Sequence, residues 1–126
     1  MSDSMPQIKR ELAEVGGTLE WKTKFGIGVS FGTSTNDDCL KKIPTCLRNA
    51  VWINLSNTCV TDAGLQLLEQ ASVLEHLNVM GTSVTTAGVS QLLESAKTIC
   101  KLELPDNLGT EDRKRIQAAW PSVELV

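Results

Sequence analysis

Aromatic residues are scarce in this chain: three tryptophans, two phenylalanines and no tyrosine. A core built without them must be aliphatic, and leucine and valine do recur throughout. Histidine is rarer still. His76 is the only imidazole, so nucleophilic catalysis by a histidine-activated cysteine or serine has a single candidate base. The four cysteines, Cys39, Cys46, Cys59 and Cys100, make no Cys-x-x-Cys pair, and His76 is remote from them in sequence, which leaves a zinc site little support. No excess of positive charge exists either. Twelve Lys and Arg face fifteen Asp and Glu, for a net charge of −3. That argues against a nucleic-acid footprint, which needs a basic patch or stripe. The one short basic cluster, Arg113-Lys114-Arg115, reads as a solvated helix face. No apolar run reaches transmembrane length, and Met1 to Arg10 lacks the apolar stretch of a secretory signal. A cytoplasmic setting with reduced thiols and no membrane insertion is therefore expected. Gly26-Ile27-Gly28 is followed by a strand pattern and not by a helix, so it does not read as a phosphate-cradling loop.

What the chain does contain is a repeat. VWINLSNTCVTDAGLQLL, starting at Val51, aligns with NVMGTSVTTAGVSQLL and the residues before it, starting at Glu75. Ile53, Leu55, Thr58, Val60, Gly64 and Leu68 each precede Leu77, Val79, Thr82, Val84, Gly88 and Leu92 by 24 residues. So many matches at one offset mark a stacked repeat architecture. Downstream, Ile99, Leu102, Leu104 and Asn107 continue the series with one extra residue, and Val123 and Leu125 begin a last half-unit. Upstream, Val29, Phe31 and Ser34 belong to the same series, followed by Leu40 and Ile43.

Each unit opens with a short segment of period 2, such as Val51 to Leu55, which predicts a strand. A polar turn follows. Thr61 or Asp62 can cap the helix that starts next, and Leu65 and Leu68 share one face of it. No unit can bury its own apolar face, so burial must come from stacking. The ends depart from the pattern. Gln7 to Val15 predicts a helix with Ile8, Leu12 and Val15 on one face, stopped by Gly16-Gly17. Thr18 to Trp21 can add a strand. Residues 1–24 thus read as an N-terminal cap and 25–126 as the repeats, about four units plus a truncated strand. The last helix is expected over Thr110 to Trp120, with Thr110 as its cap.

These strings resemble leucine-rich-repeat proteins of the short LxxLxLxxT type with a T-D-A-G-L turn, as in bacterial, especially planctomycete, proteins and the cysteine-containing repeats of F-box proteins. Leu74-Glu75-His76-Leu77-Asn78-Val79-Met80-Gly81-Thr82 carries the likeness most closely. The resemblance implies an α/β leucine-rich-repeat solenoid: a right-handed βα superhelix, with parallel strands on the concave face, helices on the convex face and a helical cap at the N-terminus. The family's inward asparagine would be Ser34, Thr58, Thr82 and Asn107 here, satisfying backbone groups at the turns. Gly16 to Trp21, Asp37 to Leu40 and Trp120 to Leu125 are also similar, in order, to the factor B (subunit s) proteins associated with mitochondrial ATP synthase.

The strand residues between the core positions point away from the helices. They are Gly28 and Ser30, Trp52 and Asn54, His76 and Asn78, and Lys101 and Glu103, with Ser56 and Met80 extending two rows. Stacking sets neighbouring rows about 4.8 Å apart. Trp52 beside His76, with Asn54 beside Asn78, makes an aromatic and amide patch, and tryptophan is enriched in binding hot spots. The competing reading of Trp52 is packing under the cap, or simple exposure. Cys39 is expected as a small buried helix residue in place of Ala63 and Ala87.

The function expected from this pattern is a non-catalytic, monomeric interaction module. It would bind a protein or peptide on its concave face through Trp52, Asn54, His76, Asn78, Met80, Lys101 and Glu103. No catalytic residue, metal or cofactor is assigned. Two other readings remain: an assembly or structural subunit of a larger complex, as the factor B similarity implies, and a thiol- or metal-dependent redox protein using the cysteines and His76.

Overall fold

The computed structural model describes residues 5–125; residues 1–4 of the expected cap and Val126 lie outside them. The chain runs α1 (Met5–Val15), β1 (Thr18–Thr23), β2 (Gly26–Ser30), α2 (Asp37–Lys41), α3 (Pro44–Asn49), β3 (Ala50–Asn54) and α4 (Asp62–Leu67). It continues through a 3₁₀ turn (Leu68–Gln70), β4 (His76–Asn78), α5 (Thr86–Ser95), β5 (Lys101–Glu103), α6 (Thr110–Ala119) and β6 (Glu124–Leu125). This is a mixed α/β fold: the six strands form one open sheet in sequence order. Strands β2 to β6 are parallel, and β1 alone runs antiparallel, as the outer arm of a hairpin with β2. Adjacent parallel strands need a crossover between them, and in each gap a helix provides it.

The apolar period fixes which face is inside. Val29, Ile53, Leu77 and Leu102 are in register across four strands, and all four are fully buried. Leu55, Val79 and Leu104 form a second buried row just beyond the strands. Leu40, Ile43, Leu65, Leu68, Val89, Leu92 and Ile116 meet them from the helical side in one core, which also takes in Ile8 and Leu12 of α1. Leu125, expected to be buried, is only partly so, because β6 has two residues and pairs on one side alone.

The T-D-A-G turn has a physical explanation in three parts. Thr61 and Thr85 cap α4 and α5 with their side-chain oxygens. The aspartate beside the cap reaches into the next unit. Asp62 Oδ1 accepts from the Thr85 amide at 2.7 Å, and Asp37 Oδ1 accepts from the Thr61 amide at 2.8 Å. Each carboxylate also takes the hydroxyl of the threonine it binds. The glycine makes room for that carboxylate: a Cβ at Gly88 would lie 2.1 Å from Asp62 Oδ1, and one at Gly64 2.4 Å from Asp37 Oδ1.

The inward polar positions match expectation in two units and depart from it in two. Thr58 and Thr82 are buried and donate their hydroxyls to the Leu55 and Val79 carbonyls, both at 2.7 Å. In the first unit the buried residue is Thr35, and Ser34 is exposed. The turn after Phe31 is one residue longer there, so the pattern slips by one. In the fourth unit Asn107 is exposed. Arg113 instead donates to the carbonyls of Pro105 at 2.9 Å and of Leu104 and Leu108 at 3.4 Å. Arg113 therefore works inside the turn and is not part of a solvated basic face; Lys114 and Arg115 are exposed as expected. The cap of α6 is Gly109 and not Thr110, which already lies in the helix.

Helix α1 ends at Gly16, whose φ of 71° is the left-handed conformation that glycine adopts freely. The helix packs on α3 and β1. Its key polar contact is Glu11, which is almost fully buried. Ile43, the residue before α3, offers no side-chain cap. Glu11 supplies one from another helix: its Oε1 accepts from the Cys46 amide at 2.9 Å. Burial alone would raise the Glu11 pKa. Hydrogen bonds from the Cys46 amide, Gln7 and Thr45 outweigh that and hold the carboxyl below its ordinary value of 4.5.

Candidate functional site

The candidate site is the sheet face opposite the buried row. Sheet register, and not chain proximity, assembles it. Gly28, Trp52, His76, Lys101 and Glu124 align in one row; Ser30, Asn54, Asn78 and Glu103 align in the next. Trp52, Asn54, His76, Asn78, Lys101 and Glu103 are all half-buried, while the residues alternating with them are buried.

The side chains in these rows touch. The rings of Trp52 and His76 meet edge to face, with centroids 6.1 Å apart and planes at 72°. His76 Nε2 donates to Glu103 Oε2 at 2.8 Å, a diagonal contact from one row to the next. Because a carboxylate only accepts, this bond puts the proton on Nε2. Lys101 and Glu124 lie 3.8 Å apart, an exposed pair of small energetic value. The two asparagines are partly committed to the fold. Asn54 Oδ1 accepts from the Ser56 amide at 2.9 Å and Asn78 Oδ1 from the Met80 amide at 3.0 Å. Their amide nitrogens are the groups left for a ligand. Met80 sits past the end of β4 and is exposed.

One residue of this surface was not readable as such. Trp21, assigned to the cap, lies across from Gly28 in the β1–β2 hairpin. A Cβ at Gly28 would come within 2.2 Å of the Trp21 ring. Trp21 thus fills the place where the other units carry Trp52, His76 and Lys101. The available signal was the glycine itself, the only outward position of its row without a side chain.

The cysteines are dispersed. All four are free thiols: Cys46 buried, Cys39 partly exposed, and Cys59 and Cys100 exposed. Cys39 falls at the place of Gly64 and not of Ala63, and it is only partly covered where a buried residue was expected. Burial, reinforced by the negative charge of Glu11, pushes the Cys46 thiol up to about 12. Against an ordinary thiol this lowers the thiolate fraction roughly a thousandfold. A disulfide reagent added to native protein should therefore label Cys59 and Cys100 first and leave Cys46 unmodified until the chain unfolds. Peptide mass mapping of the labelled cysteines checks this, and labelling of Cys46 as fast as Cys59 would contradict the packing of α1 on α3. Among the described residues, no group of three or more His, Cys, Asp and Glu side chains is placed to hold a metal ion. No helix there is long and apolar enough to cross a membrane. No protein-family model and no curated protein sequence matches the chain.

Proposed function

We propose that the chain is a leucine-rich-repeat solenoid acting as a non-catalytic binding module, with the strand face as the surface that takes a protein or peptide partner. The observation that carries this reading is the sheet register, which lines up Trp52 with His76 and Asn54 with Asn78 as half-buried side chains on the face opposite the core row. The face is rigid because core packing and main-chain ladders hold its strands. Binding to it costs little ordering entropy. Its chemistry is mixed: an aromatic pair, two free amide NH₂ groups, a histidine–carboxylate contact and a thioether at Met80. That composition suits a partner with an apolar anchor and main-chain carbonyls around it. A hydrolytic or redox role finds less support, since no cysteine shares the contacts of His76.

Truncating Trp52 to Ala should weaken partner binding by about 2 kcal/mol or more, roughly thirtyfold in Kd, because a central tryptophan loses its whole contact area. The fold should survive, since the indole lies off the core. The measurement is a calorimetric titration of wild type and Trp52→Ala with the partner recovered by affinity capture from the native host, with thermal melts of both proteins as control. Equal affinity of a folded Trp52→Ala variant would move the site off the strand face.

A further inference from the structure

Four large apolar side chains are exposed among the described residues: Trp21, Phe25, Val73 and Met80. Three of them line one cleft of about 450 Å³, at the end of the sheet where the strands begin. Thr23, Val51, Ser72, Glu75 and Thr98 complete its wall. Exposed apolar residues scattered singly need no explanation, but a cluster around a cavity marks a binding surface. The cleft shares Trp21 with the strand face, but neither Trp52 nor His76 lines it, so it can be occupied whether or not the strand face binds a partner.

Local bonding holds the cleft in shape. Phe25 sits at the tip of the β1–β2 hairpin, where its amide donates to Thr23 Oγ1 at 3.1 Å while that hydroxyl donates to the Gly26 carbonyl at 3.3 Å. Gly26 lets the tip close against Val51, since a Cβ there would lie 2.2 Å from Val51 Cγ2. Thr98 Oγ1 donates to the Leu74 carbonyl at 2.6 Å, fixing the far wall.

Two features give the occupant its charge. Glu75 is the only ionisable side chain in the wall, and it has no ion-pair partner among the described residues. The Phe25 ring already carries a cation: Lys24 Nζ stands 5.2 Å from its centroid. Aromatic faces beside a carboxylate recognise an ammonium or guanidinium on an apolar stem. We propose that this cleft binds the side chain of a lysine or arginine in an extended segment of a partner polypeptide. Its methylenes would lie on Trp21 and Val73 and its charge would face Glu75. The cleft is open along one side, so it does not enclose a free small molecule on most of its surface, as small-ligand pockets do.

The test uses an acetylated, amidated five-residue peptide with a central lysine between leucines, followed through the indole N–H signal of Trp21 in ¹⁵N-labelled protein. The lysine peptide should shift that signal saturably, and the same peptide with norleucine at the centre should bind about fivefold more weakly. Glu75→Gln should bring the lysine peptide down to the norleucine level. Lys24→Gln should bind the lysine peptide more tightly, because the internal ammonium no longer competes for the Phe25 face. Trp52→Ala should leave the titration unchanged, which separates this site from the strand-face reading. Both charge changes are at exposed side chains, and the dispersed amide spectrum reports that they fold. Three results would overturn the proposal: no shift at Trp21, equal binding of the norleucine peptide or of Glu75→Gln, or n-butylammonium matching the peptide, which would mean a free-amine site.

Discussion

Replacing Leu77 by Ala should lower the unfolding free energy by roughly 2–5 kcal/mol, through lost transfer energy and the cavity left behind. Leu77 is fully buried at the middle of the sheet, with Ile53 on one side and Leu102 on the other. In a stack, each unit is held mainly by its neighbours, so a hole in a central unit weakens two interfaces at once. Leu125 offers the contrast. It lies in the last, two-residue strand, is partly exposed, and meets one neighbouring strand. Leu125→Ala should cost clearly less than Leu77→Ala. Urea unfolding of the two variants beside wild type, followed by tryptophan fluorescence, gives both numbers. Equal losses would show that the core is not graded along the stack and that the terminal strand is as firmly held as the centre.

Much of the fold was legible because two periods are superimposed in the sequence. The alternation in Val51 to Leu55 and the 24-residue offset together predict strand, face and neighbour, which is why Trp52 is found beside His76 and Asn54 beside Asn78. Where a position depends on a single residue's turn geometry, the offset alone misleads. Ser34 has the right spacing, yet one extra residue in the turn brings Thr35 inside. Asn107 has the right chemistry, yet Arg113, six residues on and in a helix, takes over the turn carbonyls. Contacts between elements were least visible. Nothing in the chain order ties Trp21 to Gly28 or Glu11 to Cys46, because a periodic pattern says what stacks within the repeat and not what an end segment folds back upon. The antiparallel hairpin of β1 and β2 belongs to the same class, and it creates both the extra tryptophan of the strand face and the rim of the cleft.

Glu11→Ala should destabilise the protein by roughly 1.5–3 kcal/mol at neutral pH, the range for losing hydrogen bonds to a charged group while a buried amide is left without a partner. Helix α3 has six residues, and its first turn has no side-chain cap of its own. The Cys46 amide is one of the donors that such a helix leaves unpaired. Glu11 answers it from α1, so one carboxylate both completes α3 and fastens the N-terminal helix to the repeats. The dependence on pH follows from the direction of its shift. The folded carboxyl titrates below the ordinary value of 4.5, so the fold favours its ionised form. That contribution is fully present above the unfolded value and is lost as pH falls through the lower, folded value. The stability gap between wild type and Glu11→Gln should therefore be widest near neutrality and close in acid, with the change falling below 4.5. Denaturation of both proteins across that range isolates Glu11 from the other carboxylates, because those titrate alike in each. A second readout comes from Cys46. Burial is the main reason its thiol resists ionisation, and the charge of Glu11 adds to it. Glu11→Gln should thus make Cys46 more reactive at alkaline pH, even in molecules that remain folded. A gap that stays constant with pH, together with unchanged Cys46 reactivity, would mean that the carboxylate is not ionised against α3 and that the cap is held by Ile8 and Leu12 alone.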